Sequence, residues 1–254
     1  MTTRLLLQEV TRTVARAQAA ETLAVWPVGA LEQHGPHLPV GTDYLTIESL
    51  ARAAAEKASA QIPLLVAPTL PFGSSQHHLP FGGTMSLSTE GYYRVIYELA
   101  ESLIISGFRK IFIVNGHGGN NELVQLVARD LALKYPASLA AASYWTVAWD
   151  ALVALNAHQP GRLPGHAGAF ETSLMLALHP ELVQEPRPHR DNVVGSDPHS
   201  FYRPYRAEHH GSWQAIDGYS DSPDRGDGEL GKAYWAAIVE ALAAAMVEFH
   251  QQAT

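Results

Sequence analysis

Three short runs, apolar along nearly their whole length and each ending in a turn residue, constrain this chain more than any other feature. Residues 23–28 (LAVWPV) end at Gly29, residues 64–67 (LLVA) end at Pro68, and residues 110–115 (KIFIVN) end at Gly116. A strand that is apolar on both faces must be covered on both faces, as in a parallel sheet packed between helices. A helical pattern follows each run, over residues 46–60, 92–106 (stopped by Gly107) and 122–134. Residues 138–145 read as a fourth strand, 170–178 as a helix and 230–250 as a long closing helix. Leu7, Val10, Val14 and Ala17 place an amphipathic helix in the first twenty residues. The expectation is an α/β fold in three layers, α/β/α, around a mostly parallel sheet. Pro27 belongs at a strand end or a bulge, because it cannot donate to a ladder.

A chain of 254 residues with 46% hydrophobic content suits a single domain over residues 1–254. The net charge of -8 gives no general attraction to nucleic acid or anionic membrane. No apolar run approaches the roughly 20 residues that span a bilayer, and no signal segment is visible, so the cytoplasm is the expected location. The absence of cysteine excludes disulfides, thiolate metal sites and a cysteine nucleophile. Residues 186–227 show little periodicity; irregular segments of that length usually serve function or assembly.

Ligands of open parallel sheets gather beyond the carboxyl ends of the strands. Glu32, His34, His37 and Asp43 follow the first strand, and His117 follows the run at 110–115. Glu32 and His34, two residues apart in an extended segment, point to one side. Asp43 lies within a loop's reach and can bridge two ions, and His117 stands between glycines that allow close backbone approach. Carboxylate and imidazole ligands suit zinc, manganese or iron(II). Such an ion lowers the pKa of a coordinated water towards about 7, a direct route to hydrolysis. A Glu-x-His pair in a loop is equally consistent with a solvated pair, so spacing alone leaves both readings open.

Four ordered segments resemble the creatininase (creatinine amidohydrolase) family. They are residues 29–39 with Asp43, residues 73–84 (GSSQHHLPFGGT), residues 114–120 (VNGHGGN) and residues 166–173 (HAGAFETS). The resemblance implies a creatininase-like α/β/α fold, one or two divalent ions per subunit (zinc foremost, manganese or iron otherwise) and hydrolysis of amide bonds in a small molecule. It also implies a homo-oligomer, a hexamer by that likeness. By the same likeness Glu32, Asp43 and His117 hold one ion, His34 and Asp43 a second, and His166 transfers protons. His78 aligns with a family histidine. With Ser75 and Gln76 it lies on a loop that reads either as a substrate cover or as a rigid connector.

The chain departs from creatininase proper in two places. Gly119 stands where that enzyme has a metal-binding glutamate, which makes Glu171 the candidate replacement, as a ligand or as a supporting group. Trp145 matches one of two ring-enclosing tryptophans, but Arg162 stands where the other would be. A guanidinium in place of an aromatic face favours a polar or anionic substrate over creatinine. His37 is expected to pack, and His77, His209 and His210 to lie at the surface or an interface. Trp149, Phe201, Tyr202 and Tyr205 are expected between subunits. Two rivals remain: hydrolysis of a ring C–C bond in an oxidised sugar or cyclitol at the same site, and a Rossmann-like nucleotide-binding module. The second lacks the G-x-G-x-x-G spacing.

Overall fold

The structure, a computed structural model, describes residues 5–191 and 209–253. Phe201, Tyr202 and Tyr205 lie outside the described residues. Strands β1 (Leu23–Val28), β2 (Leu64–Val66), β3 (Lys110–Asn115) and β4 (Ser138–Ser143) form one parallel sheet in the order β2-β1-β3-β4. β1 and β3 pair along their whole length, from Leu23 beside Lys110 to Val28 beside Asn115. Their carboxyl ends are therefore level, and the segments that carry Glu32 and His117 leave the sheet side by side.

Alternation along the strands builds the layers. Leu23 and Val25 of β1, with Phe112 and Val114 of β3, face α2 (Thr42–Ala58), α7 (Ala169–Leu178) and α9 (Gly228–Gln252). Ala24, Trp26 and Val28, with Ile111 and Ile113, face α3 (Thr89–Ile105) and α4 (Asn121–Lys134). The helices answer at their own period: Tyr92, Ile96, Ala100 and Ile104 form the buried stripe of α3. Each large apolar side chain so buried contributes about 1.5–3 kcal/mol before conformational entropy is set against it. By length and hydropathy α9 could cross a membrane, but its Tyr234, Ile238, Leu242 and Met246 are buried in this core against α2 and α7.

Pro27 is accommodated at the end of central β1. Pairing with β2 stops at Val25 and Val66, and the Pro27 carbonyl instead accepts from Leu70 at 3.1 Å. Three expected elements differ. The amino-terminal helix is broken into a single turn at Leu7–Glu9 and α1 (Arg12–Gln18). Leu6 bridges to Val66 at the sheet edge and the Thr11 hydroxyl caps α1, so chain pairing and capping interrupt the apolar periodicity. β4 ends at Ser143, and Tyr144 and Trp145 begin a helical turn, α5 (Tyr144–Val147), followed by α6 (Trp149–Ala154). Trp149 packs in the core on the α9 side. The segment expected to be irregular contains α8 (Ser212–Ala215).

α2 begins at Thr42, not at residue 46, so Asp43 occupies its first turn and not a loop. A carboxylate there complements the helix dipole. The helix start presses on the end of β3: a Cβ added to Gly116 would sit 2.7 Å from the Ile47 Cβ. Close approach, not a left-handed backbone, is what the glycine before His117 supplies, since Gly116 and Gly118 are absent from the positive-φ glycines.

Candidate metal centre

Glu32, His34, Asp43, His117, His166 and Glu171 converge beyond the ends of β1 and β3, and all are buried. Asp43 sits between two imidazoles. Its Oδ2 lies 3.0 Å from His117 Nδ1 and its Oδ1 3.2 Å from His34 Nε2. Glu32 Oε1 lies 3.2 Å from His117 Nδ1 and 3.5 Å from His166 Nδ1. Glu171 Oε2 approaches His34 Nε2 at 3.7 Å and accepts from the Ala167 amide at 2.5 Å.

The outer nitrogens of three imidazoles reveal how the rings are held. His34 Nδ1 is 3.1 Å from the Glu32 carbonyl, His117 Nε2 is 3.2 Å from the Ser74 carbonyl, and His166 Nε2 is 3.0 Å from the Gln33 carbonyl. His166 Nε2 meets both the Gln33 carbonyl and, at 3.0 Å, the Gln33 amide nitrogen, so its contacts suit either tautomer. A carbonyl only accepts, so His34 Nδ1 and His117 Nε2 carry hydrogen, and their opposite nitrogens face the carboxylates. This is the arrangement in which histidines ligate metals. Both Glu32 oxygens, His34 Nε2 and Asp43 Oδ2 are buried with no hydrogen-bond partner. Buried polar atoms without partners are costly, and a cation satisfies all four at once.

Electrostatics agrees. Burial opposes charge on His34, but Asp43 outweighs it and lifts the ring to about 10. His117 is likewise buried, and Glu32 with Asp43 raises it well above the usual histidine range. Asp43 is held well below the usual carboxylate range by His34 and His117 despite its burial. Burial raises Glu171 to about 8, and burial drives His166 far below 6.5, with the neighbouring imidazoles adding to it.

A cavity of about 950 Å³ opens onto the cluster, lined among others by Glu32, Asp43, His77, Trp145, His166 and Trp213. Trp145, expected to enclose a substrate, lines this cavity. Ser75 does not line the cavity: its hydroxyl lies 3.2 Å from His117 Nε2, so it braces a ring of the cluster. His78 lines the cavity, yet its Nδ1 meets the Gln33 amide nitrogen at 2.9 Å and its Nε2 points at Glu32 Oε1, 3.5 Å away. The buried His78 and Ser75 favour the rigid-connector reading of their loop. His37 packs as expected, with Nε2 2.9 Å from the Thr172 hydroxyl.

Arg162 is exposed and is not among the lining residues; its backbone amide donates to Asp221 Oδ2 at 3.1 Å. The inference of an anionic substrate from Arg162 therefore loses its basis. Trp213 supplies the second aromatic face instead, 5.1 Å from the His166 ring and 4.9 Å from that of His78. His77, His209 and His210 line the cavity too, where the sequence suggested surface or interface. No local pattern marks these residues, because α8 and the turn at Gln76–Phe81 meet only in the folded chain.

Asp221 was equally invisible. It is fully buried, accepts from Ala169 N at 2.7 Å and from Ser220 Oγ at 2.8 Å, and Ser220 Oγ accepts from His166 N at 2.9 Å. The only hint is glycine at 161 and 168, where a Cβ would overlap the Asp221 carboxylate.

A parallel α/β/α sheet with a buried carboxylate–imidazole cluster at its carboxyl edge defines a class of hydrolytic enzyme. The creatininase family model, described as creatinine amidohydrolase, matches residues 8–246. A creatinine amidohydrolase of Pseudomonas putida is 34% identical over 205 residues, 74% of this chain and 74% of that protein. A mycofactocin precursor peptide peptidase of Mycobacterium tuberculosis is 35% identical over 169 residues, 64% of this chain and 61% of the relative, less than two thirds of its length. A solved structure described as "Creatininase Mn" superposes with a TM-score of 0.78 at 26% identity, covering 97% of this chain and 98% of that one. The chain belongs to the creatininase family. It is a hydrolase, and the nucleotide-binding reading gives way.

Proposed function

We propose that this chain cleaves an amide C–N bond, in a cyclic amide or formamide of a small polar molecule, with the help of one or two divalent ions. Glu32, Asp43 and His117 would hold one ion; His34, Asp43 and Glu171 would hold the second, and zinc, manganese or iron(II) suits these donors. The observation that supports this most is the set of four buried, unpartnered ligand atoms, on Glu32 and Asp43, which line the cavity, and on His34 beside Asp43. When bound, the ion supplies Lewis acidity that makes water nucleophilic near neutral pH and polarises the carbonyl.

The chain's own residues do the rest. Trp145 and Trp213 present flat faces to a small substrate. His166, fixed through Ser220 and the Gln33 carbonyl, presents Nδ1 at the cluster. Burial keeps that nitrogen unprotonated, so it takes the proton of the attacking water and delivers it to the leaving nitrogen. Assembly as a homo-oligomer, hexameric by family likeness, belongs to the same proposal.

A screen of cyclic amides, formamides and oxidised polyols with metal-loaded protein tests it, scored by release of amine or formate. Turnover of an oxidised polyol without amine or formate would assign the ring C–C reaction instead. His166→Ala should lower kcat by about 10²–10⁴-fold with metal content unchanged; loss of metal in that variant would make His166 a ligand.

A further inference from the structure

His77 lies at the start of the turn Gln76–Phe81, lines the cavity, and is only partly buried. One of its ring nitrogens lies within 4.8 Å of donor atoms of both Glu32 and His117, themselves within that distance of one another. A second group of the same kind, His34, Asp43 and Glu171, shares no residue with it, and a third, Glu32, His34 and His166, spans the two. Asp43 joins the two, since Oδ1 faces His34 and Oδ2 faces His117.

From this division we infer that His77 is a metal ligand: it completes a Glu32–His77–His117 site with Asp43 Oδ2, beside a His34–Asp43–Glu171 site. Three further observations carry the assignment. Both Glu32 oxygens are buried without a hydrogen-bond partner and aim into the group. The His77 ring is fixed over the cavity, nearly parallel to His117 at 9° with centroids 6.1 Å apart, and against Trp213 at 5.6 Å. Position 119 cannot contribute a donor: a Cβ there would overlap the Ser74 carbonyl oxygen and His117 Nε2.

The inference rests on the proposed metal dependence, and the test separates the two. Zinc affinity and stoichiometry are measured by competition with a chelator for the wild type, His77→Ala, His77→Gln and His34→Ala, and cobalt(II) absorption is recorded for each. The expected result is that both His77 variants lose at least the ~10–100-fold in zinc affinity typical of removing a group that supports a ligand. Their cobalt spectrum should change, the ion lost in His34→Ala should stay, and added imidazole should restore the affinity of His77→Ala. Wild-type affinity and spectrum in both His77 variants would overturn the inference and leave metal dependence standing. A wild type that binds no zinc would overturn both.

Discussion

The two walls of the cavity are built on different principles. The inner wall, Glu32, Asp43 and His117 with the buried His34 beside Asp43, hangs from the level ends of β1 and β3 and from the first turn of α2, and most of its polar atoms answer only to one another. The outer wall, with Trp145 and Trp213, is assembled from α5 and α8, and Asp221 ties its back to the loop carrying His166. The inner wall holds charge in a fixed pattern, as catalysis requires. The outer wall shapes what may enter. Damage to the first should abolish chemistry; damage to the second should redistribute affinity.

The largest effect should come from Asp43→Ala, which removes the group shared by both halves of the cluster. Metal-ion charge stabilisation of several kcal/mol corresponds to a rate loss on the order of 10³-fold. Elemental analysis should show metal lost from the same variant. Unchanged metal content would mean that Asp43 does not bridge.

Asp221→Asn tests the join between the walls. It keeps the shape but weakens the acceptors for Ala169 N and Arg162 N, so His166 and Glu171 should lose alignment. The expectation is about 10–100-fold in kcat, the usual cost of losing a supporting partner. KM should move little and Asp221→Glu should not rescue, because the surrounding glycines leave no space.

A smaller, graded effect follows from proton competition. His34, raised from 6.5 to about 10, gives the metal-free fold stability that is present below pH 6.5 and lost as pH rises through about 10. Glu171, raised from 4.5 to about 8, gives stability that is present below pH 4.5 and lost as pH rises through about 8. Both shifts weaken the metal-free protein as pH rises while freeing ligand atoms. The rise in Tm on adding zinc should therefore grow between pH 6.5 and pH 8; a shrinking rise would contradict the assignment.

The smallest effect belongs to Arg162→Ala. An exposed side chain that does not line the cavity should change kcat/KM by no more than about twofold, within the ordinary ±0.5 kcal/mol of surface substitutions. Trp213→Ala, by contrast, should raise KM.

The same division explains what could be read from the sequence. Runs such as residues 110–115 are apolar on both faces, so strand, parallel sheet and the position of His117 follow from local chemistry. Glu32 and His34 were legible because a two-residue spacing beside a strand end fixes their direction. Asp43 was found, though its helix starts earlier than expected because Gly116 lets α2 seat against β3. Ser75 and Arg162 stay out of the cavity lining for a shared reason. Their motif positions say nothing about which neighbour a side chain meets, and His117 claimed one while Asp221 claimed the backbone of the other. Trp213, His77 and Asp221 depend on contacts between distant segments and leave no periodic trace.

The central claim is that the four unpartnered atoms of Glu32, His34 and Asp43 exist to hold a divalent cation. Elemental analysis of the purified chain, followed by assay before and after dialysis against a strong chelator, tests it most directly. The account predicts one or two bound divalent ions per chain, loss of hydrolysis on chelation, and recovery with zinc or manganese. A chain that carries no such ion and hydrolyses its substrate undiminished in chelator would contradict it.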